Sequence, residues 1–473
     1  MSLYMRLTCV VFFVFLLGCK SVESKPNIVF ILTDDLGYGD VKSTNTESKN
    51  ATPAIDRLSE EGMTFTDMHA AASWCVPSRY GLLTGAYPGR TDLGWTKKPV
   101  IADGEMTLPQ MLRNNGYRTA MIGKWHLGFT TGKDFMKDKY PGGPVDRGFD
   151  YWFGIPHSLD IEPYLYIEND KAVMKPTGTV AAKGPSNPKW TKIQGEFWRK
   201  GQMSPDFDHN TCLDVLTERA VSEIKSAAAK DKPFFLYVPL TAPHTPWLPG
   251  EKFLKNSPNE MYGAFVAHVD DCVKRMDAAL KESGASENTI FILTSDNGPV
   301  WYDKDIERTG HKSTGVMRGM KGDAWEGGHR VPFIVRWPAK IKAGSVTHEL
   351  SSFTDVLPTM ADIVGDAKHG GKFRDGHSMA SVLEGGKTTR TDLMMLCTGR
   401  HYAARIGDWK YIPFIGSGGF TPPKFVKPKK GEPTGQLYNL AKDPGETTNL
   451  YSKYPEKVKE LKALIEKYNK EFN

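Results

Sequence analysis

The chain is 473 residues long, 40% hydrophobic and 25% charged, the balance of a globular protein with a sizeable core. Single cores rarely grow past about 250–300 residues, so this length predicts one large domain and a smaller one. The formal net charge of +6 is mild and mixed along the chain; it permits an anionic substrate, and no basic run reads as a nucleic-acid arm.

Arg6 precedes an apolar run from residue 7 to residue 17. The run is shorter than the about 20 residues a membrane span needs, and it reads as a signal peptide covering residues 1–18. Its ending, Leu16-Leu17-Gly18-Cys19, resembles a bacterial lipobox, which would put a lipid on Cys19. A plain signal peptide cut nearby is the alternative. Either way the chain is expected to be exported, as a periplasmic or outer-membrane lipoprotein of a Gram-negative bacterium in the first case. Beyond Cys9 and Cys19, the cysteines are Cys75, Cys212, Cys272 and Cys397, widely scattered and with no C-x-x-C pair. That argues against a disulfide framework and against a cysteine zinc site.

Residues 27–32 are apolar and rich in β-branched types, the mark of a buried central strand. Thr52-Pro53 starts a helix that Gly62 ends, and Thr107-Leu108-Pro109 starts another, stopped at Gly116. A strand is expected over 117–122, and long amphipathic helices over 213–229 and 261–283. Residues 234–239, 289–293 and 333–336 read as further buried strands. This alternation implies an α/β fold with a largely parallel sheet. A stretch rich in Pro, Gly, Lys and Trp, from about 169 to 210, breaks the rhythm as an insertion over the sheet edge. After about residue 383 come short strand-like pieces (392–397, 401–406, 409–412), a basic Pro-rich loop and a final helix over 455–471. These predict a small antiparallel sheet packed on one helix. The expected boundaries are a catalytic domain over 26–385 and a C-terminal subdomain over 386–473.

Asp34-Asp35 follows the first strand directly, and Asp296-Asn297-Gly298 follows the strand at 289–293. Ligands of open α/β sheets gather at the carboxyl ends of the strands. Three carboxylates and an amide there are hard oxygen donors, suited to calcium or magnesium. Either pair alone is also a common turn former.

Cys75-Val76-Pro77-Ser78-Arg79, followed by Leu82-Leu83-Thr84-Gly85, resembles the signature of the formylglycine-dependent type I sulfatases, an arylsulfatase-like family of the alkaline phosphatase superfamily. If a helix starts here, Cys75 sits at its positive end, where developing anions are stabilised, and Arg79 shares its face. The likeness continues through Gly123-Lys124-Trp125-His126-Leu127-Gly128, through Gly154-Ile155-Pro156-His157-Ser158, and through Ala242-Pro243-His244-Thr245-Pro246. It then takes in Arg318-Gly319-Met320-Lys321-Gly322 and the stretch Gln436-Leu437-Tyr438-Asn439-Leu440.

The resemblance implies an alkaline-phosphatase-like α/β/α sandwich with a small C-terminal subdomain of antiparallel sheet plus helix. It implies that a formylglycine-generating or anaerobic sulfatase-maturating enzyme converts Cys75 to formylglycine (3-oxoalanine). It also implies one calcium ion, held by Asp34, Asp35, Asp296, Asn297 and the matured Cys75. In that family's mechanism the hydrated aldehyde attacks sulfur in line. His244, with Lys321, protonates the departing oxygen, and His126 takes the proton that lets sulfate leave. Arg79, Lys124 and Ser158 stabilise diol and sulfate oxygens. Asp160, Glu162, His311 and Arg318 flank the expected pocket and are candidates to read sugar hydroxyls. Trp190, Phe197 and Trp198 of the insertion either stack on sugar rings or pack the insertion. A sulfated polysaccharide or oligosaccharide is the expected substrate, with a possible lipid anchor to the membrane. A phosphate or phosphonate ester hydrolase of the same superfold and a non-enzymatic glycan-binding protein are the rival readings.

Overall fold

The computed structural model describes residues 24–132, 134–255, 257–366 and 373–472; the expected signal peptide and Cys19 lie outside them. The main sheet is built, in chain order, from β1 (Asn27–Asp34), β2 (Met63–Phe65), β3 (Arg118–Lys124), β4 (Tyr151–Ile155), β5 (Ile167–Glu168) and β6 (Lys171–Ala172). It continues with β7 (Phe234–Pro243), β8 (Thr289–Ser295), β9 (Phe333–Arg336) and β10 (Ser345–Thr347). The spatial order is β10-β2-β9-β8-β1-β7-β3-β4-β5-β6. The five strands from β8 to β4 run parallel. On the flanks β9 pairs antiparallel with β8 and β2, β10 pairs parallel with β2, and β5 pairs antiparallel with β4 and β6.

β1 shows why both faces are covered. Ile28, Phe30 and Leu32 enter one apolar core, and Val29 and Ile31 enter another on the opposite face. Because side chains alternate across a strand, an uninterrupted apolar run requires layers on both sides. Helices α1 (Pro53–Glu60), α2 (Cys75–Thr84), α3 (Leu108–Asn114), α4 (Cys212–Ala228), α5 (Glu260–Glu282) and α6 (Val356–Val364) supply them. α2, α3 and α6 bury Leu82, Met111 and Leu357 in the first core. α1, α4 and α5 bury Leu58, Leu216 and Val269 in the second. Thr107 caps α3 through Oγ1, which accepts from the Gln110 amide at 3.2 Å.

A second, antiparallel sheet of β11 (Asp392–Leu396), β12 (Tyr402–Ile406), β13 (Trp409–Ile412) and β14 (Gln436–Asn439) packs on helix α7 (Pro455–Phe472). Its core also takes Ala72, Tyr87 and Trp325 from the larger unit, so the two are welded through apolar contact. Among the described residues no helix is long and apolar enough to cross a membrane.

Candidate active site

Parallel strands all present their carboxyl ends on one side of the sheet, and the polar residues converge there. Asp34 and Asp35 end β1, Lys124 ends β3, His244 follows β7, and Asp296 and Asn297 follow β8. Asp35 and His126 both hold left-handed backbone, φ 67° and 61°. Such conformations are rare outside glycine and cluster at functional sites.

Cys75 is the first residue of α2, buried, and no side chain caps that helix end. The macrodipole therefore meets the cleft at Cys75 unopposed. Its Sγ and carboxylate oxygens of Asp34 and Asp296 lie within 4.8 Å of one another. Burial raises the thiol pKa, so the unmodified cysteine is a poor thiolate. Cys212 and Cys272 are pushed up to about 12 by burial among apolar neighbours and have no such setting.

Three fixed cations clasp three carboxylates. Arg79 donates through Nε to Asp296 Oδ2 at 2.9 Å, and its Nη2 is 2.8 Å from the same oxygen. Lys124 Nζ is 2.5 Å from Asp34 Oδ2 and 3.2 Å from Ser158 Oγ. Lys321 Nζ is 2.6 Å from Asp35 Oδ1. Burial opposes the Asp34 charge, but Lys124, His244, Arg79 and Lys321 outweigh it and hold that carboxyl well below the usual range. Burial, then the neighbouring Asp34 charge, pushes Asp296 up to about 6.

His244 Nδ1 donates to the Thr245 carbonyl at 2.6 Å, which fixes Nδ1 as a protonated nitrogen and turns Nε2 toward Asp35 Oδ2, 3.7 Å away. Cis peptide bonds at Ala242–Pro243 and Thr245–Pro246 bracket this residue. His126 is buried, and burial, then the charge of Lys124, holds its pKa well below the ordinary value. It is therefore a neutral imidazole, and its Nδ1 has no hydrogen-bond partner. The loop bearing Lys321 reaches the site because Gly298 lies flat against Gly327; a Cβ on Gly298 would stand 1.8 Å from the Gly327 carbonyl oxygen.

A metal fits this donor set. Asp34, Asp35, Asp296 and Asn297 are all nearly or fully buried. Asp34 Oδ1 and Asn297 Oδ1 have no partner, and the Asn297 amide is turned so that Nδ2 donates to Asp35 Oδ1 at 2.6 Å. Buried oxygens are seldom left orphaned, and oxygen-only donors suit a hard divalent cation. Three carboxylates offset three fixed cations, so a divalent ion held here would leave the cleft with net positive charge.

The structure thus brings Cys75, Arg79, Lys124, His126, Ser158, His244, Lys321 and the four oxygen donors together. Asp160 lines the cleft beside His244 and Lys321. Two other candidates do not reach it. The His311 ring is fully buried, with Nε2 2.7 Å from Asp40 Oδ1, because Asp40 gathers donors to fix the turn after β1. Arg318 turns the other way, its guanidinium 3.7 Å from the centre of the Trp325 ring and donating to the Glu446 carbonyl at 3.0 Å. The insertion splits similarly. Phe197 lines the cleft, whereas Trp190 packs on Trp247 and Trp198 stacks on His209. Sequence motifs gave no signal for Arg199, Trp247 or Phe420, which complete the lining; each is placed by tertiary packing.

A parallel sheet whose strand ends gather hard-donor carboxylates, fixed cations and an uncapped helix start defines a hydrolase of the alkaline-phosphatase-like class. A sulfatase family model matches residues 26–366, and one described as N-sulphoglucosamine sulphohydrolase, C-terminal, matches residues 321–471. The chain belongs to the sulfatase family, enzymes that hydrolyse sulfate esters. It is 34% identical to an N-acetylgalactosamine-6-O-sulfatase of Bacteroides thetaiotaomicron over 94% of this chain and 93% of that protein. It is 33% identical to Arylsulfatase G of Mus musculus, over 78% of this chain and 71% of the relative. A solved structure concerning metabolism of multiple glycosaminoglycans by Bacteroides thetaiotaomicron superposes with TM-score 0.82 at 32% identity, covering 94% of this chain and 99% of that one. Ps i-CgsB, solved with k-i-k-neocarrahexaose, gives 0.72 at 25% identity, covering 94% and 93%.

Proposed function

We propose that this sulfatase removes sulfate from a sulfated glycan, using formylglycine derived from Cys75 and a bound calcium ion. The observation that carries the reading is the placement of Cys75 at an uncapped helix start, within 4.8 Å of the Asp34 and Asp296 carboxylates. The relatives named as N-acetylgalactosamine-6-sulfatases and the structure in complex with k-i-k-neocarrahexaose support a glycan substrate.

A formylglycine hydrate at Cys75 would supply a hydroxyl nucleophile, and bound calcium would supply Lewis acidity and positive charge for the sulfate oxygens. Asp34, Asp35, Asp296 and Asn297 would hold the metal. Lys124 Nζ and Ser158 Oγ, 3.2 Å apart, form a donor pair for a sulfate oxygen. Arg79 braces Asp296 and, through Nη1 at 3.2 Å, the Lys124 carbonyl, which fixes both relative to α2. His244, with Nδ1–H tied to Thr245, presents Nε2 to the cleft, and its doubly protonated form would give the departing sugar oxygen a proton from that nitrogen. Lys321 stands on the same wall and neutralises Asp35. His126, neutral and buried, is the base that accepts the second hydroxyl proton. A maturating enzyme is the implied partner, and reading residues 1–18 as a signal peptide supports action outside the cytoplasm.

The test is sulfate release from a panel of defined sulfated mono- and oligosaccharides by protein co-expressed with a formylglycine-generating enzyme, with conversion of Cys75 read by mass. Release from one glycan class is expected. Turnover confined to small aryl sulfates by converted protein would overturn the glycan assignment.

A further inference from the structure

The cleft has a second wall that the reaction itself does not use. Asp160 is 5% exposed, and its Oδ1 has no hydrogen-bond partner. Its other carboxylate oxygen is clasped by Arg199 Nη1, from the insertion. Both residues line the cleft with His244 and Lys321. Arg199 is fixed at its backbone, where its amide donates to the Asp160 carbonyl at 3.1 Å and its carbonyl accepts from Tyr164 Oη at 2.6 Å. Its side chain is still 51% exposed, and its guanidinium lies 5.1 Å from the centre of the Phe197 ring.

A buried carboxylate oxygen without a donor calls for one, and in a substrate cleft the ligand is the available source. The charges of Asp160 and Arg199 cancel, so the pair has no net pull on a second anion. A carboxylate only accepts and a guanidinium only donates, whereas a hydroxyl does both. Phe197 and Trp247 add apolar surface for the C–H face of a ring.

We propose that Asp160 and Arg199 are a specificity pair that reads free hydroxyls on the sugar ring carrying the scissile sulfate. Asp160 Oδ1 accepts from one hydroxyl, and Arg199 donates to the oxygen of its neighbour. A sulfate at either position would bring a second anion against Asp160, so a ring sulfated there must first be desulfated by another enzyme. This rests on the sulfatase reading of the cleft given above.

The experiment compares parent, Asp160→Asn and Arg199→Met, each with Cys75 converted and its melting checked. The substrates are a 6-sulfated N-acetylhexosamine and 4-nitrophenyl sulfate, which has no sugar hydroxyl. Sites built to bind a substrate hydroxyl lose about 10⁴-fold or more when that bond is absent. For these single changes we expect kcat/KM on the sugar sulfate to fall by about 10²-fold or more relative to that on the aryl sulfate. An unchanged sugar rate, or an equal fall on both substrates, overturns the pair's role. A converted parent that hydrolyses the aryl ester and no sugar sulfate overturns the glycan reading and the pair with it, and that result precedes any variant.

Discussion

Replacing Lys410 by methionine should unlatch the small sheet from the catalytic unit. Lys410 lies on β13, fully buried, with Nζ 2.9 Å from Glu326 Oε1, 2.9 Å from Glu446 Oε1 and 3.1 Å from His329 Nε2. Glu326 opens the short helix Glu326–His329, close after Lys321 in the chain, and its amide donates to Glu446 Oε2 at 2.6 Å. Burial opposes the Glu326 charge, but Lys410 and Arg330 hold that carboxyl well below its usual range. Burial pushes Glu446 up to about 7. Methionine keeps the volume but leaves Glu326 with Arg330 as its only strong cation, Nη2 at 2.6 Å. Removing one partner of a buried ion pair costs about 3–5 kcal/mol; with Arg330 in place the lower end is expected, about 3 kcal/mol. Urea unfolding followed by fluorescence measures it. A Lys410→Met protein within about 1 kcal/mol of the parent would refute the reasoning. The same site sets a pH dependence. The folded pKa of Glu446 lies above its unfolded value of 4.5, so its contribution is full below pH 4.5 and is lost as pH rises through about 7. Glu446→Gln should flatten that part of the stability profile.

Chelation should abolish sulfate release and lower the melting temperature, because Asp34, Asp296 and Asn297 lose the cation that completes their shell; calcium should restore both. Full activity after exhaustive dialysis against a chelator would remove the metal from the reading. His311→Ala should cost about 1–3 kcal/mol, from a lost hydrogen bond and a cavity. Its kcat and KM should stay within about 3-fold of the parent, because the ring supports Asp40 and touches no part of the cleft. Paired unfolding and steady-state measurements separate these effects.

Four of the five strands at the parallel centre were legible, at 27–32, 117–122, 234–239 and 289–293, because each carries an apolar run that reveals burial on both faces; β4, five residues interrupted by Gly154, was not. The end-of-strand acids were legible by the same logic, since a strand boundary beside Asp34 or Asp296 fixes where those side chains emerge. The two- and three-residue edge strands β5, β6 and β10 were not, because pairing with a neighbour and not local sequence makes them extended. Direction was also hidden: the apolar run of β9 does not say that it enters the sheet antiparallel. Arg318 sits in a motif-bearing segment and His311 in one flanking the expected pocket, yet local chain direction decides whether a side chain meets the cleft or the core. Arg199 is the converse case, an unmarked residue of the insertion brought to the site by the backbone bonds between it and Asp160.

Strand β1 joins two ends of the molecule that do different work. Asp34 closes it at the catalytic cluster, while Lys25 and Pro26 lead into it at the far edge, where the Pro26 carbonyl accepts from Tyr117 Oη and Lys25 Nζ donates to the Asn115 carbonyl. Eight extended residues span roughly 25 Å, close to the full thickness of the sheet layer along that axis. The chain therefore enters the sheet at the edge opposite the cleft, and whatever is joined ahead of residue 24 meets the fold a full strand's length from the catalytic cluster.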